Sequence, residues 1–552
     1  MKHKLLTPWR RLIGLLKLEK RDVFQVFYYA IFTGLVALSL PLGIQAIINL
    51  LQSAQITTSW IVLVVLVTIG VAFTGVLQLM QMRIIETIQQ KIFTRASFEF
   101  AYRFPKIKMD ELLNYYPPEL ANRFFDTLSV QKGLSKILID IPAAVLQIVF
   151  ALVLLSFYHP FFIVFGIFLL LLIYLLFKFT AQRGMETSLK ESKNKYKVAH
   201  WIQEIARSIV SFKVSGRTNL ALVKNDHLVS DYLKARESHF KVLVIQFIQM
   251  ISFKVIVTIG LLIIGGILVL RQQMNIGQFV AAEIIILLVI NSVEKLILSL
   301  EPFYDILTSL EKLGQVVDKK LEANHTEKIT FKDAFKIQID QVSYGVKDVE
   351  ELILENVSFE INAQDRILIA GESGSGKSSL LQLLSGVIEP TRGNIYVDDH
   401  SVKNFNLNHY RAQIGLSLSE ESPFEGTIRE NITFGDTTID DETIYDTLKN
   451  LKLTEFVKKQ PRGLNTILYP EGKQISSTVS KKIVLARAIA KKPRLLVLEK
   501  PLDQFEAQEA KSIMEFLTHP DRPWALVVVS FNPHWAQNCK KIITLQNGKI
   551  IR

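Results

Sequence analysis

Cysteine is almost missing from this sequence: Cys539 is the one cysteine in 552 residues. An intrachain disulfide and a cysteine-based metal cluster are therefore excluded. Charge is scarce as well, at 21% of residues, and the scarcity is uneven. Before about residue 305 the chain holds long runs almost free of charged side chains, and from about residue 328 its composition is that of an ordinary globular domain. With 49% hydrophobic residues and a mean hydropathy of +0.26, a wholly soluble, disordered or fibrous chain is excluded. A membrane-embedded part followed by a soluble domain fits.

A membrane-spanning helix needs about 20 mostly apolar residues. Six stretches qualify: 23–51, 58–80, 136–158, 159–180, 243–270 and 277–301. Long polar segments follow the second and the fourth. The other connections are short: Gln52 to Thr58, Tyr158 to Pro160, and Arg271 to Ile276. Residues 1–22 carry Lys2, Lys4, Arg10, Arg11, Lys17, Lys20 and Arg21, and both long segments are rich in Lys and Arg, whereas the short connections contribute Arg271 alone. The bias of basic residues toward the cytoplasm then puts both termini and both long segments on the inner side of a plasma (inner) membrane. No small-residue cleavage site follows the first apolar stretch, so a removable signal peptide is not expected. Residues 9–18 mix apolar and basic positions at helical spacing and read as an amphipathic helix on the inner membrane surface; a solvated basic tail is the alternative.

The net charge of +12 has the same origin. Residues 328–552 hold 29 Lys and Arg against 29 Asp and Glu, so the whole excess lies in residues 1–327. It reads as a topology signal rather than a nucleic-acid footprint, and no nucleic-acid partner is expected.

The segments 82–103 and 181–203 contain no proline, so the spans are expected to continue as helices well beyond the membrane. Tyr115-Tyr116-Pro117-Pro118 and Ser215-Gly216 then mark hairpin tips, where short helices near 119–126 and 207–213 could dock on a soluble domain. Charges within a span are costly and call for an explanation. Glu283, Glu294 and Glu301 fall on one stripe of a single helix at about 100° per residue. Either they line a water-filled pathway, with Lys295 and Lys254 as partners, or Glu283 and Glu301 sit in the interfaces and Glu294 alone is buried. The domain plan is an N-terminal segment over 1–22, a membrane domain over 23–310, a linker over 311–327 and a soluble domain over 328–552.

The soluble part holds the sharpest motif. Gly371, Glu372, Ser373, Gly374, Ser375, Gly376, Lys377 and Ser378 match G-x-x-x-x-G-K-S/T in full, with Ser379 next. Glycines there let consecutive backbone N–H groups wrap phosphate oxygens at a helix N-terminus. Lys377 would reach the β- and γ-phosphates, and the Ser378 hydroxyl would ligate Mg²⁺. The context supports ATP binding: Arg366–Ala370 reads as a buried strand and Ser379–Leu384 as the following helix. Tyr344 ends an alternating strand and could stack on an adenine. About 120 residues past the loop, Pro493–Leu498 is a second buried strand ending in Glu499, placed to serve the Mg²⁺ shell.

Six spans with two long hairpins, then this phosphate-loop domain, resemble a half-size ABC exporter. Gly426–Ile432, Glu471-Gly472, Val484–Ala488 and Ile543–Ile550 add to the resemblance. It implies an all-α six-helix transmembrane domain of the type I exporter fold, followed by an α/β P-loop nucleotide-binding domain. It further implies two such chains sandwiching two ATP molecules, as a homo- or heterodimer in the membrane.

The same resemblance exposes departures. The L-S-G-G-Q signature aligns with Ile475, Ser476, Ser477, Thr478 and Val479, so two glycines have gained side chains. The Asp-Glu pair after the second buried strand is Glu499-Lys500, the switch histidine is Phe531, the glutamine contacting Mg²⁺ is Ser419, and the aspartate of the next loop is Glu506. A lysine cannot accept a proton from attacking water, and loss of a general base costs about 10²–10⁴-fold. The expectation is a chain that binds ATP·Mg and hydrolyses it slowly or not at all, acting with a competent partner chain or secretion accessory proteins, peptide or protein being the weakly favoured cargo. A membrane-bound ATP sensor or scaffold and a homodimeric hydrolysing exporter are the alternatives.

Overall fold

The computed structural model describes residues 7–51, 58–323, 325–332, 335–346 and 349–551. The expected short connection from Gln52 to Thr58 falls almost wholly outside these residues, as do Lys2 and Lys4. The chain divides into two compact units, one of Met1–Lys106 with Asn114–Lys319, the other of Ile107–Leu113 with Lys320–Arg552.

The first unit is helical. In chain order its helices are α1 (Pro8–Leu18), α2 (Lys20–Ala37), α3 (Ser39–Leu51), α4 (Thr58–Arg103), α5 (Pro117–Asn122), α6 (Asp126–Ser156), α7 (Phe161–Arg207), α8 (Ile209–Val214), α9 (Leu220–Leu270), α10 (Ile276–Leu298) and α11 (Leu300–Val317). Among the described residues, five helical segments are long and apolar enough to cross a membrane, and Phe161–Leu175 is a shorter apolar helix.

Local chemistry explains the breaks. The apolar stretch over 23–51 is two helices rather than one, interrupted at Leu38. Pro41 has no N–H to give the carbonyl of Ala37, and proline is tolerated in the first turn of a new helix. Pro117 and Pro118 open α5 in the same way. Helix α10 starts on a capping box in which Asn275 and Gln278 satisfy each other's backbone N–H groups. It stops at Ser299, whose hydroxyl bonds back to the Lys295 carbonyl at 2.7 Å. The stretch over 277–301 is therefore not one helix, and Glu301 lies on α11, beyond this interruption.

Helix α11 also runs into the linker expected at 311–327, because Leu310, Gly314 and Val316 keep an apolar face buried as far as Val317. At its end, both guanidinium nitrogens of Arg11 on α1 meet the Asp318 carboxylate. Trp9 packs on Phe303, and Leu12 joins a core with Ile88, Ile92, Ile306 and Leu307. The amphipathic helix thus spends part of its apolar face on its own unit.

The second unit is an α/β domain. Its elements are β1 (Ile337–Gly345), β2 (Leu352–Ile361), β3 (Arg366–Gly371), α12 (Lys377–Leu384), β4 (Arg392–Val397), β5 (His400–Ser401), α13 (Leu407–Arg411), β6 (Ile414–Ser417), β7 (Gly426–Thr427), α14 (Ile428–Thr433), α15 (Asp441–Asn450), α16 (Thr454–Lys458), β8 (Ile467–Leu468), α17 (Ser477–Ala490), β9 (Leu495–Glu499), α18 (Ala507–Thr518), β10 (Ala525–Val529), α19 (His534–Asn538), β11 (Lys541–Gln546) and β12 (Lys549–Ile550).

One sheet has the order β2-β1-β4-β5 and is antiparallel. The other runs β12-β11-β3-β10-β9-β6, parallel except for β12. Every residue of β9 and β10 is buried, which is why Leu-Leu-Val-Leu and Ala-Leu-Val-Val-Val read as unbroken apolar runs instead of alternating ones. Parallel strands put their carboxyl ends together, and ligands of such sheets bind there. Gly371, Glu499, Val529 and Ser417 are the last residues of β3, β9, β10 and β6.

Candidate functional site

The register of the parallel sheet assembles the site. Val529 pairs with Glu499, so the residues after each strand, Lys500 and Ser530-Phe531, lie side by side. Ser417 pairs with Leu498 on the other flank, which brings Ser419 to Glu499. The phosphate loop leaves β3 next to β10 and enters α12.

Within the loop, Gly371, Gly374 and Gly376 have φ values of 145°, 85° and 94°, a region that disfavours side chains. A Cβ at Gly371 would come 2.2 Å from the Leu545 carbonyl oxygen, and one at Gly376 would come 2.7 Å from Leu354. The backbone can close in a cradle only because these positions are bare. Ser375 is buried, while Glu372, Ser373 and Gly374 are exposed at the rim and Ser379 is half-buried inside α12. The Lys377 ammonium donates to the carbonyls of Gly371 at 2.9 Å and Glu372 at 2.5 Å. Burial and the nearby Lys500 charge hold it below the usual lysine range, with Glu499 acting in the opposite sense.

Glu499, 7% exposed, is the hub. One carboxylate oxygen accepts from the Ser378 hydroxyl. The other accepts from the Ser419 backbone N–H at 3.2 Å and from its hydroxyl at 3.1 Å. Mg²⁺ takes oxygen ligands and few of them from protein, and Ser378 with Glu499 is an oxygen pair of that kind. Next to it, Lys500 adopts a left-handed backbone (φ 47°), is exposed, and sets its ammonium 5.0 Å from the centroid of the Phe531 ring.

Two contributors were missed in the sequence. Asp503 accepts from Ser530 Oγ at 2.5 Å and from the Phe531 backbone N–H at 3.3 Å; it fixes the Phe531 turn. Lys481, on α17, donates to the carbonyls of Ser419 and of Glu421. Neither has a local sequence signal, since each works across strand ends that only the sheet order brings together. Glu506, by contrast, only precedes α18 and forms no side-chain cap to it.

The other sequence candidates lie elsewhere. Ser476 caps α17 by accepting from the Val479 N–H at 3.3 Å. Ser476 and Ser477 are exposed, and Ile475, Thr478 and Val479 half-buried. Among the described residues no hydrogen bond joins this segment to the phosphate loop. Tyr344 is corrected: at 4% exposure its ring belongs to the core formed with Val342, Leu354 and Val357, and its hydroxyl meets Asp110 at 3.4 Å. It presents no open face to an adenine. In the membrane unit Lys254 pairs with Glu294 at 2.6 Å, Glu301 lies 4.0 Å from Arg236, Glu283 is half-buried and Lys295 is exposed.

Comparison with known proteins agrees with this architecture. The ABC transporter transmembrane region family matches residues 23–293, and the ABC transporter family matches residues 354–503. The uncharacterized ABC transporter ATP-binding protein YfiB of Bacillus subtilis is 26% identical over 60% of this chain and 59% of its own length. The alpha-hemolysin translocation ATP-binding protein HlyB of Escherichia coli O157:H7 is 27% identical over 52% of this chain and 40% of its own. An ATP-dependent lipid A-core flippase of Burkholderia orbicola is 26% identical over 55% and 51%. The chain thus spans little more than half the length of these curated relatives, or less. A bacterial Atm1-family ABC exporter solved with ATP bound shares the fold with a TM-score of 0.85 at 16% identity, covering 97% of this chain and 94% of that one. With an exporter-type helical membrane region and a phosphate-loop cassette in one polypeptide, the chain belongs to the ABC transporter family and is homologous to its half-size exporters.

Proposed function

We propose that this chain is an ATP-binding subunit of a membrane exporter that holds its nucleotide with little or no hydrolysis and works with a second cassette chain. One observation carries the reading: an intact phosphate loop stands beside a strand end where Glu499-Lys500 replaces a carboxylate pair. Backbone N–H groups of residues 373–378 would bind phosphate oxygens, and Lys377 would offset their charge. Ser378 and Glu499 would hold Mg²⁺, which when bound supplies positive charge to the terminal phosphates. Among the described residues, the positions after this strand end and its neighbours offer no group suited to take the proton of an attacking water. Lys500 is a cation, Phe531 has no exchangeable proton, and Ser419 is held by Glu499. The basic N-terminal region and hairpins support an inner-membrane placement with the cassette in the cytoplasm.

Peptide or protein is the cargo class we assign, supported by the similarity to a hemolysin translocation protein; lipid is the second reading, supported by the flippase similarity. A non-transporting ATP sensor is favoured by the side chains at Ser477 and Thr478, which would face a partner's nucleotide. Recovering the tagged chain from native membranes tests the assignment. Co-purification of a second cassette chain whose presence brings ATPase activity supports the exporter subunit. Recovery of the chain alone, without activity, supports the sensor.

A further inference from the structure

The metal's task at a nucleoside triphosphate is to offset phosphate charge, and here a second lysine, Lys500, follows the strand end that contacts the phosphate loop. Lys377 rises from the phosphate loop, and Lys500 follows β9, whose last residue contacts Ser378. The Lys500 charge is felt at Lys377. Nearby acids offset this pair in part, Glu499 first among them at Lys377, and their positions are fixed by hydrogen bonds. Glu499 has Ser378 on one oxygen and Ser419 on the other, and Asp503 holds Ser530 and the Phe531 N–H. Glu421 faces Lys481 and Arg487, and burial raises its pKa. Lys500 is itself restrained by its ring contact with Phe531 and by its backbone N–H, which donates to the Val529 carbonyl at 2.6 Å.

We infer that Lys377 and Lys500 together let this site bind nucleoside triphosphate without a divalent cation, the Lys500 ammonium taking over the charge the metal would supply. The metal-free nucleotide, which carries the higher negative charge, is then a ligand in its own right. This rests on the nucleotide-binding reading of the phosphate loop, and the experiment separates the two.

The full chain in detergent or nanodiscs is titrated with a fluorescent ATP analogue, once in EDTA and once with excess Mg²⁺, and the ratio of the two dissociation constants is read. We expect the EDTA and Mg²⁺ values of the unaltered chain to agree within about threefold. In Lys500→Gln the ratio should grow by about tenfold or more as a charge-assisted contact to phosphate is lost, and Lys500→Arg should restore it. Because each ratio is internal to one preparation, partial misfolding does not mimic the effect. Binding in Mg²⁺ that weakens more than about tenfold in EDTA, or a ratio that Lys500→Gln leaves unchanged, overturns the inference and leaves nucleotide binding intact. Absence of binding in both buffers overturns the nucleotide reading itself and the inference with it.

Discussion

The Lys500 ammonium lies 5.0 Å from the centroid of the Phe531 ring, joining the two positions that the exporter resemblance aligns with a catalytic base and a switch histidine. Their proximity is set by the backbone, through the pairing of Val529 with Glu499. The Phe531 ring is 63% exposed, and a solvent-facing cation–π contact is weak. Phe531→Ala is therefore expected to change nucleotide affinity about fivefold at most, read by the same fluorescence titration. A larger loss would mean that Phe531 itself grips the nucleotide.

Lys377 makes the affinity sensitive to pH. Its pKa lies below the ordinary 10.5 through burial first and the Lys500 charge second. The ammonium is fully charged below that pKa, so affinity is complete there and falls as pH rises through it. Removing the Lys500 charge in Lys500→Gln removes one lowering influence, so the midpoint should move to higher pH. A midpoint that stays put or falls would contradict the coupling between the two lysines.

Arg366, at 5% exposure, ties the start of β3 to the loop before β10. It donates to the carbonyls of Trp524 at 2.6 Å, Gln364 at 2.9 Å and His519 at 3.0 Å. Arg366→Ala leaves these acceptors without their partner. The bond to the Trp524 carbonyl is the buried one, so at about 1–3 kcal/mol for a buried unsatisfied group a loss of about 1–3 kcal/mol is expected in denaturant unfolding of the cassette transition. A loss under about 1 kcal/mol would contradict the role given to this side chain.

If the stripe of acids in the membrane unit lines a water-filled pathway, a cysteine at Glu294 should react with a water-soluble thiol reagent. The background is favourable, because burial pushes the Cys539 thiol up to about 11 and thiolates are the reactive form. Labelling of Glu294→Cys above the unaltered chain is the expected result, and its absence would remove Glu294 from any pathway.

How much of this was legible in the sequence depends on the range of the interaction. The phosphate loop was fully legible, since its glycines and Lys377 act within eight consecutive residues whose backbone needs are local. The buried strands β3 and β9 were legible as apolar runs for the same reason. Tyr344 was misread because an aromatic at a strand end looks the same whether it faces a ligand or the core; its burial with Val342, Leu354 and Val357 decided the matter. Asp503 and Lys481 were invisible because their partners are 27 and 62 residues away in sequence. The glutamate stripe assumed one straight helix, and the restart after Ser299 placed Glu301 on the next.

Phosphate release by the purified full chain at saturating ATP and Mg²⁺, compared with Lys377→Ala, tests the central claim most directly. The account predicts that the two are indistinguishable although the unaltered chain binds nucleotide. Turnover of about 1 s⁻¹ or more, abolished in Lys377→Ala, would contradict it.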